Sequence, residues 1–127
     1  MEKYNSEYKK NRLLIDPYFK FLTQLRASIS NNIRKYTNGK TINESKGIDY
    51  KTIFDRIGCR PNETYHLDHI IPISKFNLNN PEHIKLAHLP VNLRWISAKE
   101  NLSKSNKIPD FVYTNNELFN ILKEIEK

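Results

Sequence analysis

Pro72 sets the first limit on what this chain can build. It closes the run Tyr65 to Ile71, whose pattern reads as a β-strand, because proline has no amide hydrogen to give to a ladder. A second strand-like run, Val91 to Ile96, arrives only after residues 72–89, a connection of 18 residues. Hairpin loops usually take about two to five residues, and longer connections inside compact domains are either functional or disordered. Ser97-Ala98-Lys99-Glu100 then forms a capping box: the serine accepts from the amide three residues on, and the glutamate reaches back to the cap. A helix is predicted from Ala98 until Ile108-Pro109 ends it. The segment reads strand, long connection, strand, helix.

Ahead of it, Asp16-Pro17 reads as an N-cap followed by proline at the first helical position, where its missing amide costs nothing. Phe21, Leu22, Leu25, Ile29 and Ile33 recur at helical spacing, which predicts a helix of about five turns ending near Asn38-Gly39. Arg26, Arg34 and Lys35 fall away from that stripe. Residues 1–15 are polar as far as Leu13-Leu14-Ile15 and are expected to form an irregular arm, and residues 38–48 are a connection rich in turn formers. Asp49 is placed to cap a helix from Tyr50 to Ile57, with Gly58 as its left-handed stop. Ile53, Phe54 and Ile57 form its packing face. Near the C-terminus, Thr114-Asn115-Asn116-Glu117 repeats the capping-box pattern before Leu118, Ile121, Leu122 and Ile125.

A chain of 127 residues is expected to form one α+β domain. It divides into a basic helical region over 1–60, the strand–strand–helix segment over 61–107 and a C-terminal helix within 108–127. The lone Cys59 cannot form an internal disulfide, and no Cys-x-x-Cys pair is present to hold structural zinc. The polar start and the lack of a long apolar run predict an intracellular, cytoplasmic protein that does not enter a membrane. Net charge is +7, and residues 1–60 carry all of it, with 13 Lys and Arg against 6 Asp and Glu. Two readings of that asymmetry stand: a polyanionic partner, whose counterions basic groups displace, or a coding bias towards Lys, Asn and Ile.

Three boxes in the central segment, Asp68-His69-Ile70-Ile71-Pro72, Asn92-Leu93-Arg94-Trp95 and Glu100-Asn101-Leu102-Ser103-Lys104-Ser105-Asn106-Lys107, resemble the signature of the HNH endonucleases of phage and prophage type. One such box is a weak signal; three in order are a strong one. The resemblance covers about a third of the chain and implies a ββα-metal core with a long inter-strand loop, flanked by the N-terminal helices and the C-terminal helix. It implies hydrolysis of DNA phosphodiester bonds, leaving a 5′-phosphate and a 3′-hydroxyl. His69 would be the general base, Asp68 and Asn101 the metal ligands, and Asn92 a structural residue that fixes His69 through the loop backbone. Many relatives carry histidine where this chain has Asn101. Two hard oxygen donors suit Mg²⁺, with Mn²⁺ able to substitute, and no organic cofactor is expected.

Other side chains carry two readings each. Lys104, one turn beyond Asn101 on the same helix face, and Lys107 and Arg94 are either DNA-phosphate contacts or ordinary solvated charges. His66 either touches phosphate or the metal shell, or is a partly exposed histidine with a local hydrogen bond. His83 is expected at the surface and His88 packed in the loop. Trp95 either anchors the core or stacks on a base. Strand alternation adds a conflict, since Asp68 and His69 should face opposite ways. A DNA-binding protein without catalysis, and a nuclease acting mainly on RNA or single strands, are the rival functions.

Overall fold

A computed structural model describes residues 16–36 and 48–127. The arm over 1–15 with Leu13-Leu14-Ile15, the helix end at Asn38-Gly39, most of the 38–48 connection and the Ile33 side chain lie outside the described residues. The described chain is α+β, with five α-helices and a two-stranded antiparallel sheet.

Helix α1 (Pro17–Tyr36) begins as expected: the Asp16 carboxylate accepts from the Phe19 amide at 3.1 Å, and Phe21, Leu25 and Ile29 are buried. Helix α2 (Tyr50–Ile57) has its cap at Asp49, which accepts from Thr52, and its stop at Gly58, whose amide donates to Phe54. Gly58 has φ 68°, a conformation that penalises any side chain with a Cβ. Phe54 of α2 packs on Phe21 of α1 with ring centroids 5.2 Å apart. Trp95 joins them, edge-on to Phe21 at 6.2 Å and donating its indole N–H to the Gly58 carbonyl at 3.0 Å. It is a core anchor.

Strands β1 (Tyr65–His69) and β2 (Leu93–Ser97) pair from Tyr65 opposite Ser97 to His69 opposite Leu93. Both differ from the expected bounds for one reason. Asn92 closes a 3₁₀ turn, Pro90–Asn92, so β2 starts at Leu93 and not Val91. The Ile71 amide is taken by the Asn92 side chain and not by a ladder, so β1 stops at His69. Ile71 enters the core instead.

The connection is packed, and it contains a helix the sequence reading left out. A 3₁₀ turn (Ile73–Lys75) is followed by α3 (Pro81–Ala87), capped by the Asn80 side chain with Pro81 in its first turn. Helix α4 starts at Ala98 with both bonds of the capping box formed, but it ends at Lys104, short of Ile108. Ser105, with φ 51°, turns the chain away there. The last helix, α5 (Asn116–Ile125), is capped by Asn115 and not Thr114. Thr114 instead ends a 3₁₀ turn (Asp110–Thr114) and gives its hydroxyl to the Phe111 carbonyl. Leu118, Ile121 and Leu122 close the core with Val112 from that turn.

Candidate active site

β1 delivers Asp68 and His69 as its last two residues, and their side chains meet different groups. Asp68 is buried beside its cross-strand partner Arg94, whose Nε donates to Oδ2 at 2.8 Å. From α4, the Lys104 ammonium lies 3.1 Å from Asp68 Oδ1 and donates to the His69 carbonyl at 2.9 Å. Arg94 also stacks over Phe111 at 5.7 Å. The carboxylate therefore sits between two cations, one on the adjacent strand and one on the helix.

The His69 ring packs edge-to-face on His88, with centroids 4.9 Å apart. His88 is fixed by its Nδ1, 2.7 Å from the Ile84 carbonyl. A carbonyl only accepts, so that nitrogen carries the hydrogen and Nε2 keeps a lone pair. The Nε2 atoms of both rings are buried without a hydrogen-bond partner among the described residues. Burial holds the His69 imidazole well below its usual range, and the neighbouring His88 and the Lys104 charge push the same way. Burial also lowers His88, to about 4, against the opposing pull of the Ile84 carbonyl. Both rings are neutral at pH 7.

Asn92 has no solvent exposure and uses both ends of its amide. Oδ1 accepts from the Ile71 amide at 2.8 Å, while Nδ2 donates to the Ala87 carbonyl at 3.0 Å and the Ile71 carbonyl at 3.3 Å. The Asn92 backbone carbonyl accepts from Ile70 at 2.8 Å. One residue thus fastens the chain just beyond His69 to the end of α3, the helix that leads into His88.

The remaining expected residues fall into two clefts on either side of α4. Arg94, Lys104 and Lys107 line one of about 540 Å³, with Glu100 and Asp110 in the same wall. Asn101 is exposed and lines the other, of about 350 Å³, with His66, Leu67 and Trp95. Asp68 and Asn101 are thus on the two elements expected, but the α4 side chain that reaches the carboxylate is Lys104. His83 is half-buried, its Nδ1 accepting from the Asn77 amide at 2.9 Å. Among the described residues no three His, Cys, Asp or Glu side chains gather as a metal cluster. None of the described helices is long and apolar enough to cross a membrane.

Two features escaped the sequence reading. The Asp68–Arg94 pair was accessible to it, since a register fixed by the strand ends sets those residues opposite one another, where opposite charges attract. The His69–His88 contact left no such trace, because it depends on how α3 folds back. Compared with protein-family models, curated proteins and solved structures, the chain matches none.

Proposed function

We propose that the protein is a metal-dependent endonuclease of HNH type that hydrolyses DNA phosphodiester bonds, with a ββα-metal centre formed by β1, β2 and α4. The observation that carries this reading is the fastening of Ile71 and Ala87 by Asn92, which holds the backbone around His69 and His88 in place. A structural asparagine in the middle box is what the resemblance calls for. His69, kept neutral by burial, accepts the proton of the attacking water. An anionic phosphate beside it draws its basicity back up. Lys104, Lys107 and Arg94, which share a cleft, take phosphate oxygens, and His66 lies at the neighbouring one.

Asp68 and Asn101 would hold Mg²⁺, or Mn²⁺ in its place, and a carboxylate with an amide oxygen suits such a hard cation. Oδ2 of Asp68 is committed to Arg94, whereas among the described residues Oδ1 meets only the Lys104 ammonium, a point charge on a flexible stem that a divalent ion can replace. When bound, the ion stabilises charge building on the phosphate and the leaving oxygen.

The same ion pairs favour a second reading, a DNA-binding protein without chemistry, because two cations already neutralise Asp68. Supercoiled plasmid separates the two. With Mg²⁺ or Mn²⁺, wild type is expected to nick it, and EDTA, His69→Ala and Asn101→Ala to abolish nicking. Equal nicking by wild type and His69→Ala would remove the enzymatic role of this site. A panel of duplex DNA, single-stranded DNA and RNA ranks the substrates.

A further inference from the structure

A polar trough lies between α1 and the loop that leads into β1, and its inner part reaches His66 and Asn101. Its outer part, about 540 Å³, is lined by Lys20, Gln24 and Arg60. Its inner part, about 350 Å³, is lined by Gln24, Ser28, Arg60, His66 and Asn101. Gln24 and Arg60 belong to both, so the two parts adjoin at those side chains. Lys20, Gln24 and Ser28 are spaced four residues apart on α1 and share one face, a span of about 12 Å.

We propose that this trough holds the backbone of a single nucleic-acid strand and leads it to Asn101. The inference rests on the nuclease reading for the strand's destination, but not for its binding. Four observations favour a strand over other occupants. The lining supplies two cations, Lys20 and Arg60, and neither has an ion-pair partner among the described residues. Between and beyond them lie uncharged hydrogen-bonding groups on Gln24, Ser28 and Asn101, which suit phosphate and sugar oxygens without reading sequence. Glu63 is the one acid among the described residues of the lining. Both cations belong to the half of the chain that carries the net charge of +7. The inner wall also holds Trp95, the only tryptophan, so occupation of the trough has an optical reporter.

The test is binding of a single-stranded DNA oligonucleotide to the full-length chain in EDTA, where cleavage does not interfere, followed by Trp95 emission across a salt series. Each lost phosphate contact reduces the slope of log K against log salt by about 0.7 for a single strand. Lys20→Ala/Arg60→Ala is expected to flatten the slope by about 1.4, weakening binding roughly 25-fold at 0.1 M salt. Lys75→Ala/Lys85→Ala, which removes two exposed charges outside the trough, is expected to leave both quantities unchanged. Gln24→Glu, at a half-buried position that lines both parts of the trough, is expected to weaken binding while removing no cation. Equal losses in the two double variants, or an unchanged slope in the first, would overturn the proposal. So would dependence on Lys20 and Arg60 for duplex but not for single strand. Slopes that behave as expected in a protein that never nicks DNA would sink the nuclease reading and leave the trough standing.

Discussion

Replacing Asn92 by alanine should cost more than any other single change to a polar side chain here, and the structure sets the size. Three hydrogen bonds disappear, to the Ile71 amide, the Ala87 carbonyl and the Ile71 carbonyl. At a net value of about 1 kcal/mol each they sum to about 3, and the Ile71 amide left buried without an acceptor adds about 1–2 more. A loss of about 4–5 kcal/mol is a large share of the roughly 5–15 kcal/mol that holds a domain together. For a chain of this size it lowers Tm by about 10–20 °C. Thermal unfolding followed by circular dichroism measures it. Asn92→Asp sharpens the test, since it keeps the acceptor for Ile71 but turns both donations into a buried negative charge facing two carbonyl oxygens. It should be at least as damaging as alanine at neutral pH. A loss below about 1 kcal/mol for alanine, or a milder effect for aspartate, would refute the clamp as drawn.

Acid should weaken the fold through the buried histidines. His88 titrates near 4 in the fold against an ordinary 6.5, so its share of stability is complete above 6.5 and is lost as pH falls towards 4. That share is roughly 3 kcal/mol, and His69 adds in the same direction. Urea midpoints at pH 7 and pH 4.5 should differ accordingly, and less so in His88→Phe; a flat profile in wild type would exclude the effect. Asp68→Asn keeps the shape of the side chain but strands the Lys104 ammonium, whose side chain is 9 % exposed, beside a neutral group. It should cost about 3 kcal/mol or more, and Lys104→Met in the same chain should recover part of it; strictly additive losses in denaturant melts would contradict a direct pair.

The local stop and start signals were legible because each is satisfied within a few residues. Asp16, Asp49, Gly58 and the Ser97–Glu100 box all act where the sequence puts them, through bonds that span four residues or fewer. The failures have the opposite origin. β1 ends at His69 because an asparagine 21 positions away from Ile71 takes its amide, and no local pattern encodes that bond. α3 was locally signalled, by Asn80-Pro81-Glu82, and went unread because the segment carries no long apolar stripe. At the site, sequence order put Asp68 and His69 together but left the partner of each open. Lys104 reaching Asp68 and His88 meeting His69 are tertiary facts.

Lys104 is where those two faces of β1 are joined. Its ammonium binds a side-chain oxygen of Asp68 and the backbone carbonyl of His69 at once, so it neutralises the carboxylate and pins the strand end to α4. On the proposed reading this makes metal and nucleic acid depend on each other. An ion that displaces Lys104 from Oδ1 leaves an ammonium with 9 % of its side chain exposed and no counter-charge, which is costly. A phosphate that draws Lys104 away leaves the buried Asp68 carboxylate with Arg94 as its one cation and an anion close by. When both arrive, Asp68 keeps a cation and Lys104 gains an oxyanion, so neither charge is stranded. Linkage then requires that each tighten the binding of the other by the same factor. In the plasmid assay the Mg²⁺ concentration for half-maximal nicking should therefore fall as DNA concentration rises, and a midpoint indifferent to DNA would show that Lys104 does not stand between the two.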